Sequence, residues 1–257
     1  MNEPIFAHPR WDYQSYSDFK RIVELSGYQS CYMDEMDLQS DNTYIFSTPD
    51  TYWGHGWPDA KCRIIAYLFE WYTDVDYSAI PNVEIWCADK YWANRIGARY
   101  VPMGSHADLN PRPQDSADKV YDVCTLWAGS YNRYHADDLM NRVDLSRAPN
   151  GWGEERHRIL SQSRMMVAVH QNPEAKTLAP QRWALAAAYK LPVISETLAD
   201  AGLLADVTIQ CDLEDVGEIA ASWKRIENAG KLRAKGEALH QLLCHEYTFR
   251  KGIESAL

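Results

Sequence analysis

Short apolar runs with strand character alternate along this chain with segments of helical spacing, and the whole pattern begins twice. The first round opens with a brief apolar run at residues 4–8. A helix follows at residues 17–25 (SDFKRIVEL), with Ser17 as its cap and Gly27 as its stop. Further β-rich runs are TYIFS at 43–47, RIIAYLFEW at 63–71, VEIWC at 83–87 and RYVPM at 99–103, and DKYWANRI at 89–96 reads as a helix. Strands separated by connections long enough to hold a helix pair in parallel, because parallel neighbours need a crossover.

Residues 104–118 (GSHADLNPRPQDSAD) are rich in Gly, Pro, Ser and Asp, lack periodicity and read as a linker. Beyond them the pattern restarts. Strands are expected at 120–128, 165–170, 192–195 and 207–210, and helices near 134–142, 154–161, 180–189, 215–228 and 231–244. The expected organisation is α/β with two Rossmann-like parallel-sheet halves and a cleft between them. Residues 1–110 form the acceptor-side half, 118–240 the donor-binding half, and 241–257 a terminal helix packing back on the first half.

Composition separates the two halves. The net charge is −10, but residues 1–117 carry 9 Lys and Arg against 17 Asp and Glu, while the remainder carries 17 against 19. Of the 31 aromatic residues, 21 lie in the first 100. An acidic, aromatic-rich half is a poor partner for a polyphosphate backbone, and it suits neutral rings that stack on aromatic side chains. The six cysteines are scattered with no CxxC pair, which reads as reduced thiols. The start, MNEPIFAHPRWDYQSY, has no basic segment followed by an apolar run, and the apolar run 64–69 is too short to span a bilayer. A cytoplasmic protein without membrane partners is expected.

Two segments carry chemistry. In VYDVCTLWAGSYNRY (120–134) an apolar strand runs into Gly129 and Ser130, and Arg133 follows at a helix start. Glycine lets a ligand approach the backbone, and a helix N-terminus with an arginine favours phosphate. In MMVAVHQNPEAKTLAPQRWALAAAYKLPVISE (165–196) a buried strand ends in His170 and Gln171, and a helix then opens at Pro180 with Arg182 in its first turn. Arg133 and Arg182 directed at one crevice would neutralise a diphosphate.

The order D-V-x-x-x-x-x-G-S-x-x-R, V-x-V-H and R-W-A-L-A-A-A-Y-K-L-P-V-I-S resembles the donor-binding half of GT-B glycosyltransferases, in particular the bacterial spore-maturation-type and group 1 families. The terminal HEYTFR is loosely similar to their closing H-x-x-T-x-x-x-R helix. The resemblance covers residues 120–250 and implies transfer of a sugar from a nucleotide-sugar, a UDP-sugar foremost, with no cofactor required and no obligatory metal. It implies that Gly129, Ser130, Arg133, His170, Gln171 and Arg182 contact the donor and that Ser195 and Glu196 line the same crevice. Two positions depart from the pattern: the family's glutamate, which holds ribose hydroxyls, falls on Leu185, and its glycine falls at Lys190–Leu191. Glu174 and Glu196 are the candidate replacements for that glutamate.

In the first half, YWGHGW (52–57) offers Trp53, His55 and Trp57 as an acceptor platform, with aromatics capping a sheet edge as the structural alternative. Glu70, at the end of an apolar strand, and His8, at the end of the first, are the candidate bases toward an acceptor hydroxyl. The acceptor class is a small molecule, glycan or protein, with a hydroxymethylated base in DNA as an alternative. Asp74 and Asp76 form a D-x-D of the kind that binds a divalent cation in metal-dependent GT-A transferases. The rival from another class is a nucleotide-binding protein without catalysis, favoured by the missing glutamate. No GxGxxG follows any strand, against an NAD-type oxidoreductase.

Overall fold

A computed structural model describes residues 3–10, 14–46, 57–69, 77, 80–110, 119–126, 130–171 and 176–257. The chain divides into two units. Met1–Met103, Ala179–Gln181 and Phe249–Leu257 make up unit 1, and Gly104–Leu178 with Arg182–Thr248 make up unit 2. No helix among the described residues is long and apolar enough to cross a membrane.

Unit 1 is built on β1 (Ile5–His8), α1 (Gln14–Leu25), β2 (Gln29–Tyr32), β3 (Thr43–Phe46), β4 (Arg63–Leu68), β5 (Val83–Cys87), α2 (Lys90–Ile96) and β6 (Arg99–Tyr100). Its six strands are all parallel, in the order β2-β1-β3-β4-β5-β6. Alternation along the strands gives each face its own core. One face buries Ala7, Tyr44, Phe46, Ile64, Ala66 and Leu68. The opposite face carries Phe6, Tyr67 and Trp86, on which Phe19 of α1 and Phe249 of the terminal helix settle. Phe249 lies 5.5 Å from Phe6 and 5.6 Å from Phe19, ring centroid to centroid, so these rings interlock as tilted and edge-on pairs.

His8 shares that aromatic face. It is 4% exposed, its ring stands edge-on to Phe19, and neither ring nitrogen has a hydrogen-bond partner among the described residues. Burial, and secondarily the charge of Lys20, push its imidazole down to about 4.

Unit 2 follows with β7 (Tyr121–Cys124), α3 (Tyr131–Arg142), α4 (Gly153–Gln162), β8 (Ser163–Ala168), α5 (Pro180–Ala188, of which Pro180 and Gln181 group with unit 1), β9 (Val193–Glu196), β10 (Ile209–Cys211), α6 (Val216–Lys224) and α7 (Ala229–Gln241). The strands are parallel in the order β10-β9-β8-β7. On one face Val123, Met165, Val167 and Ile194 pack against Ala136 and Met140 of α3 and Val216 and Ala220 of α6. Gly217 permits this approach: a Cβ there would sit 2.7 Å from the Leu139 carbonyl oxygen of α3. A π-helical segment, Leu242–Glu246, leads from α7 to the terminal helix α8 (Phe249–Ala256), which belongs to unit 1.

Several boundaries differ from the sequence expectation. β2 was not anticipated, because QSCY is a half-exposed edge strand with no apolar signal. The helix expected over 215–228 breaks at Arg225, whose backbone turns extended, so α6 and α7 are separate. The first part of the expected linker is structural: Ser105 is fully buried, its hydroxyl donating to the Ala184 carbonyl (2.7 Å) and its N–H to that of Leu243 (2.8 Å). All six cysteines are free thiols.

Helix α5 ends in a Schellman motif, with Lys190 N–H on the Ala187 carbonyl and Leu191 N–H on that of Ala186. The motif places residue 190 in the left-handed region, and Lys190 sits there at φ 52°, where α1 and α2 use Gly27 and Gly97. A side chain costs about 1 kcal/mol in that conformation. Lys190→Gly is therefore expected to raise the melting temperature by about 2–4 °C. Its exposed ion pair with Glu237 contributes little in compensation; an unchanged or lower midpoint in a thermal melt contradicts the strain.

His8 makes stability depend on pH with a defined sign. Its folded pKa of about 4 lies below the unfolded value of 6.5, so the unfolded chain takes up the proton first. Stability is complete above 6.5 and falls as the pH drops towards about 4, by on the order of 3 kcal/mol in full. His8→Leu is expected to flatten that fall, measured as the loss of melting temperature between about pH 7.5 and about pH 5. A variant as acid-sensitive as the parent excludes His8 as the cause.

Candidate functional site

In a parallel sheet every strand ends at the same edge, and the helices that follow begin there. In unit 2 this edge gathers the ends of β7, β8 and β9 with the first turns of α3 and α5. Ser130, Arg133, His170, Gln171, Arg182, Ser195 and Glu196 lie along it.

Ser130 is the N-cap residue of α3, extended at φ −159° and ψ 169°, yet its side chain does not cap the helix. Its hydroxyl is buried and has no hydrogen-bond partner among the described residues. The N–H groups of the first turn thus lack the side-chain acceptor that an N-cap serine ordinarily supplies. No acidic residue lies in that turn. Arg133, its third residue, is instead 7% exposed, and burial lowers its pKa to about 10. A helix start carries partial positive charge, and the guanidinium beside it adds to that charge. Arg182 holds the same third position in α5, half-buried, again with no acidic residue in the turn. Gly129 lies outside the described residues.

β8 and β9 contribute the second group. His170, two residues past the end of β8, is 4% exposed. Its backbone N–H donates to Glu196 Oε2 at 2.9 Å, and its ring Nδ1 lies 3.1 Å from Oε1 of the same carboxylate. Burial raises the proton affinity of Glu196, but the ring and backbone hydrogen bonds from His170 outweigh it, and the carboxyl is held below its usual range. Nε2 of His170 and the hydroxyl of Ser195, itself fully buried, have no hydrogen-bond partners among the described residues. Gln171 is exposed, and Glu174 lies outside the described residues. The sequence did not single out Thr125 or Asn132, both buried polar residues at the same edge. A polar residue just past an apolar strand or a helix start was the only available signal for them.

Leu185, where the related families carry glutamate, is buried among the alanines of α5. Nothing polar is offered from that position. The turn glycine of those families is replaced by Lys190 in the left-handed conformation described above.

The first-half candidates divide differently. Trp57 packs edge-on against Phe46 at 5.2 Å and joins the periphery of the unit 1 core. His8 is the buried, neutral imidazole already described. Trp53, His55, Glu70, Asp74 and Asp76 lie outside the described residues. No group of three His, Cys, Asp or Glu side chains among the described residues could hold a metal ion.

No protein-family model matches the chain, and no curated protein matches it. Solved structures do. AviGT4, a glycosyltransferase involved in avilamycin A biosynthesis, is 11% identical, with a TM-score of 0.56 over 99% of this chain and 96% of its own. The DNA-modifying enzyme β-glucosyltransferase, whose substrate is uridine diphosphoglucose, is 9% identical with a TM-score of 0.52 over 98% and 99%. TarM is 9% identical with a TM-score of 0.53 over 87% of this chain, which spans 55% of TarM's length. At such identities the likeness is one of fold. Two parallel-sheet α/β units in series, matched nearly end to end by AviGT4 and β-glucosyltransferase, give this chain the GT-B glycosyltransferase fold.

Proposed function

We propose that the chain transfers a sugar from a nucleotide-sugar donor to an acceptor hydroxyl. The observation that carries this reading is the start of α3, where the Ser130 side chain does not cap the helix and Arg133 adds its charge to the positive end, a combination that suits an anionic ligand. A diphosphate answers it. The α3 N–H groups and Arg133 take its charge from one strand end and Arg182 from the next. The fold supports the same ligand class, and uridine diphosphoglucose, the substrate named for β-glucosyltransferase, favours a UDP-sugar.

In the reaction the bond from the anomeric carbon to the diphosphate oxygen breaks, and the acceptor oxygen forms the new bond to that carbon. The diphosphate leaves with the electron pair, and the acceptor's proton passes to a base, for which His8 and Glu70 are the candidates. Negative charge grows on the departing diphosphate, so arginines and helix dipoles fixed beforehand stabilise the transition state without an obligatory metal. Two separate parallel sheets argue against the GT-A alternative built on Asp74 and Asp76. The acidic first 117 residues favour a small molecule, glycan or protein acceptor over duplex DNA.

Buried Leu185 in place of the related glutamate favours a second reading, in which the chain binds nucleotide-sugars without transferring them. A thermal-shift panel of UDP-, GDP- and ADP-glucose, followed by donor-hydrolysis assays, separates the two. Turnover of a bound donor supports transfer, and binding with no turnover supports the second. In the same assay Arg133→Met should weaken donor binding about 10–100-fold, since a charge-assisted contact is lost. Arg182→Ala should weaken donor binding in the same direction. Undiminished donor affinity in Arg133→Met removes the diphosphate from α3.

A further inference from the structure

Glu196 offers both carboxylate oxygens to a single residue. Oε2 receives the backbone N–H of His170 and Oε1 faces its ring Nδ1. An ionised carboxylate only accepts hydrogen bonds, so Nδ1 must carry the ring proton. In the neutral imidazole, Nε2 is then a bare acceptor. That nitrogen is buried without a hydrogen-bond partner among the described residues, and so is the Ser195 hydroxyl on the next strand.

Ile194 points into the apolar core shared with α3 and α6, so Ser195 points away from that core. Ser195 pairs with Ala168, two residues before His170. The histidine and the serine are therefore diagonal neighbours at the carboxyl edge. A group that satisfies bare Nε2 must bring a hydrogen. Ionised phosphate oxygens bring none, whereas a hydroxyl donates to Nε2 and can accept from a serine.

We infer that His170 and Ser195 form a subsite for a hydroxyl group of the nucleotide-sugar, and that Glu196 is a positioning residue which fixes the His170 tautomer without touching the ligand. The hydroxyl belongs to the ribose or to the transferred sugar. This rests on the nucleotide-sugar reading above and replaces the expectation that Glu196 itself lines the donor crevice as a ligand contact.

Glu196→Gln tests it with a defined consequence. The His170 backbone N–H can only donate, so it claims the glutamine carbonyl oxygen. The amide NH2 is left against Nδ1, which must become the acceptor, and the ring proton moves to Nε2. Imidazole 15N NMR at about pH 8 distinguishes a protonated from a bare ring nitrogen, with His170→Gln assigning the signals by their loss. Protonated Nδ1 in the parent and protonated Nε2 in Glu196→Gln are expected. Protonated Nε2 in the parent, or no exchange in the variant, overturns the positioning role. Should Glu196→Gln fail to fold, the parent spectrum alone still decides which nitrogen carries the proton.

Calorimetric titration with UDP-glucose and UDP reads the ligand side. Glu196→Gln should weaken UDP-glucose binding about tenfold, the worth of a lost hydrogen bond to a buried acceptor. An equal loss for UDP identifies a ribose hydroxyl, and a loss confined to UDP-glucose identifies the sugar. Unchanged binding overturns the subsite. Tighter binding overturns it too, since it places an acceptor such as phosphate opposite Nε2. If the parent binds none of UDP-, GDP- or ADP-glucose, the nucleotide-sugar reading fails and takes the hydroxyl assignment with it, while the tautomer measurement still decides the role of Glu196.

Discussion

The candidate site depends on positive charge gathered at the start of one helix. Arg133 is buried in the first turn of α3, and burial alone draws its pKa down to about 10. The helix that carries it adds its own partial positive charge and has no serine cap to offset it. Behind it one face of the unit 2 sheet is an apolar core. Val123, Met165, Val167 and Ile194 are buried against α3 and α6, and Gly217 lets the two helices meet backbone to backbone.

Unit 1 puts its distinctive residues to another use. The excess of aromatics in the first 100 residues reads, from composition alone, as a surface for stacking neutral rings. Most of the large ones with described positions are core instead: Phe6, Phe19, Phe46, Tyr67, Phe69 and Trp86 are essentially fully buried. A six-stranded sheet presents a wide face, and large flat side chains fill it with few elements above. Within that face His8 is the exception, a titratable ring among phenylalanines. Its depressed pKa keeps it neutral near pH 7, the state in which an imidazole can accept a proton.

Legibility of the sequence followed the strength of the local signals. Continuous apolar runs such as RIIAYL and the alanine-rich start of α5 located the parallel strands and their crossovers, and strand ends then located Ser130, Arg133, His170 and Arg182 at one edge. Edge strand β2 escaped because half-exposed QSCY carries no period-two contrast. Ser105 escaped because a polar residue in a Gly- and Pro-rich stretch looks like linker, and only its partners at Ala184 and Leu243 make it structural. Arg225 interrupts what is otherwise a helical pattern. The pairing of Glu196 with His170 joins residues 26 apart through strand register, which no local pattern encodes.

Leu185 sharpens the role of that pairing. A carboxylate at 185 would recognise hydroxyls strongly, but it would also stand in the same helix as Arg182 and compete with a diphosphate for its charge. This chain has a buried leucine there, and its nearest edge carboxylate, Glu196, is turned onto the backbone and ring of His170. The negative charge is thereby engaged on His170, and a bare Nε2 takes a hydroxyl's hydrogen without drawing either arginine away from phosphate. In this arrangement Arg133 after β7 and Arg182 after β8 supply charge for the diphosphate, while His170 after β8 and Ser195 within β9 supply uncharged partners for hydroxyls.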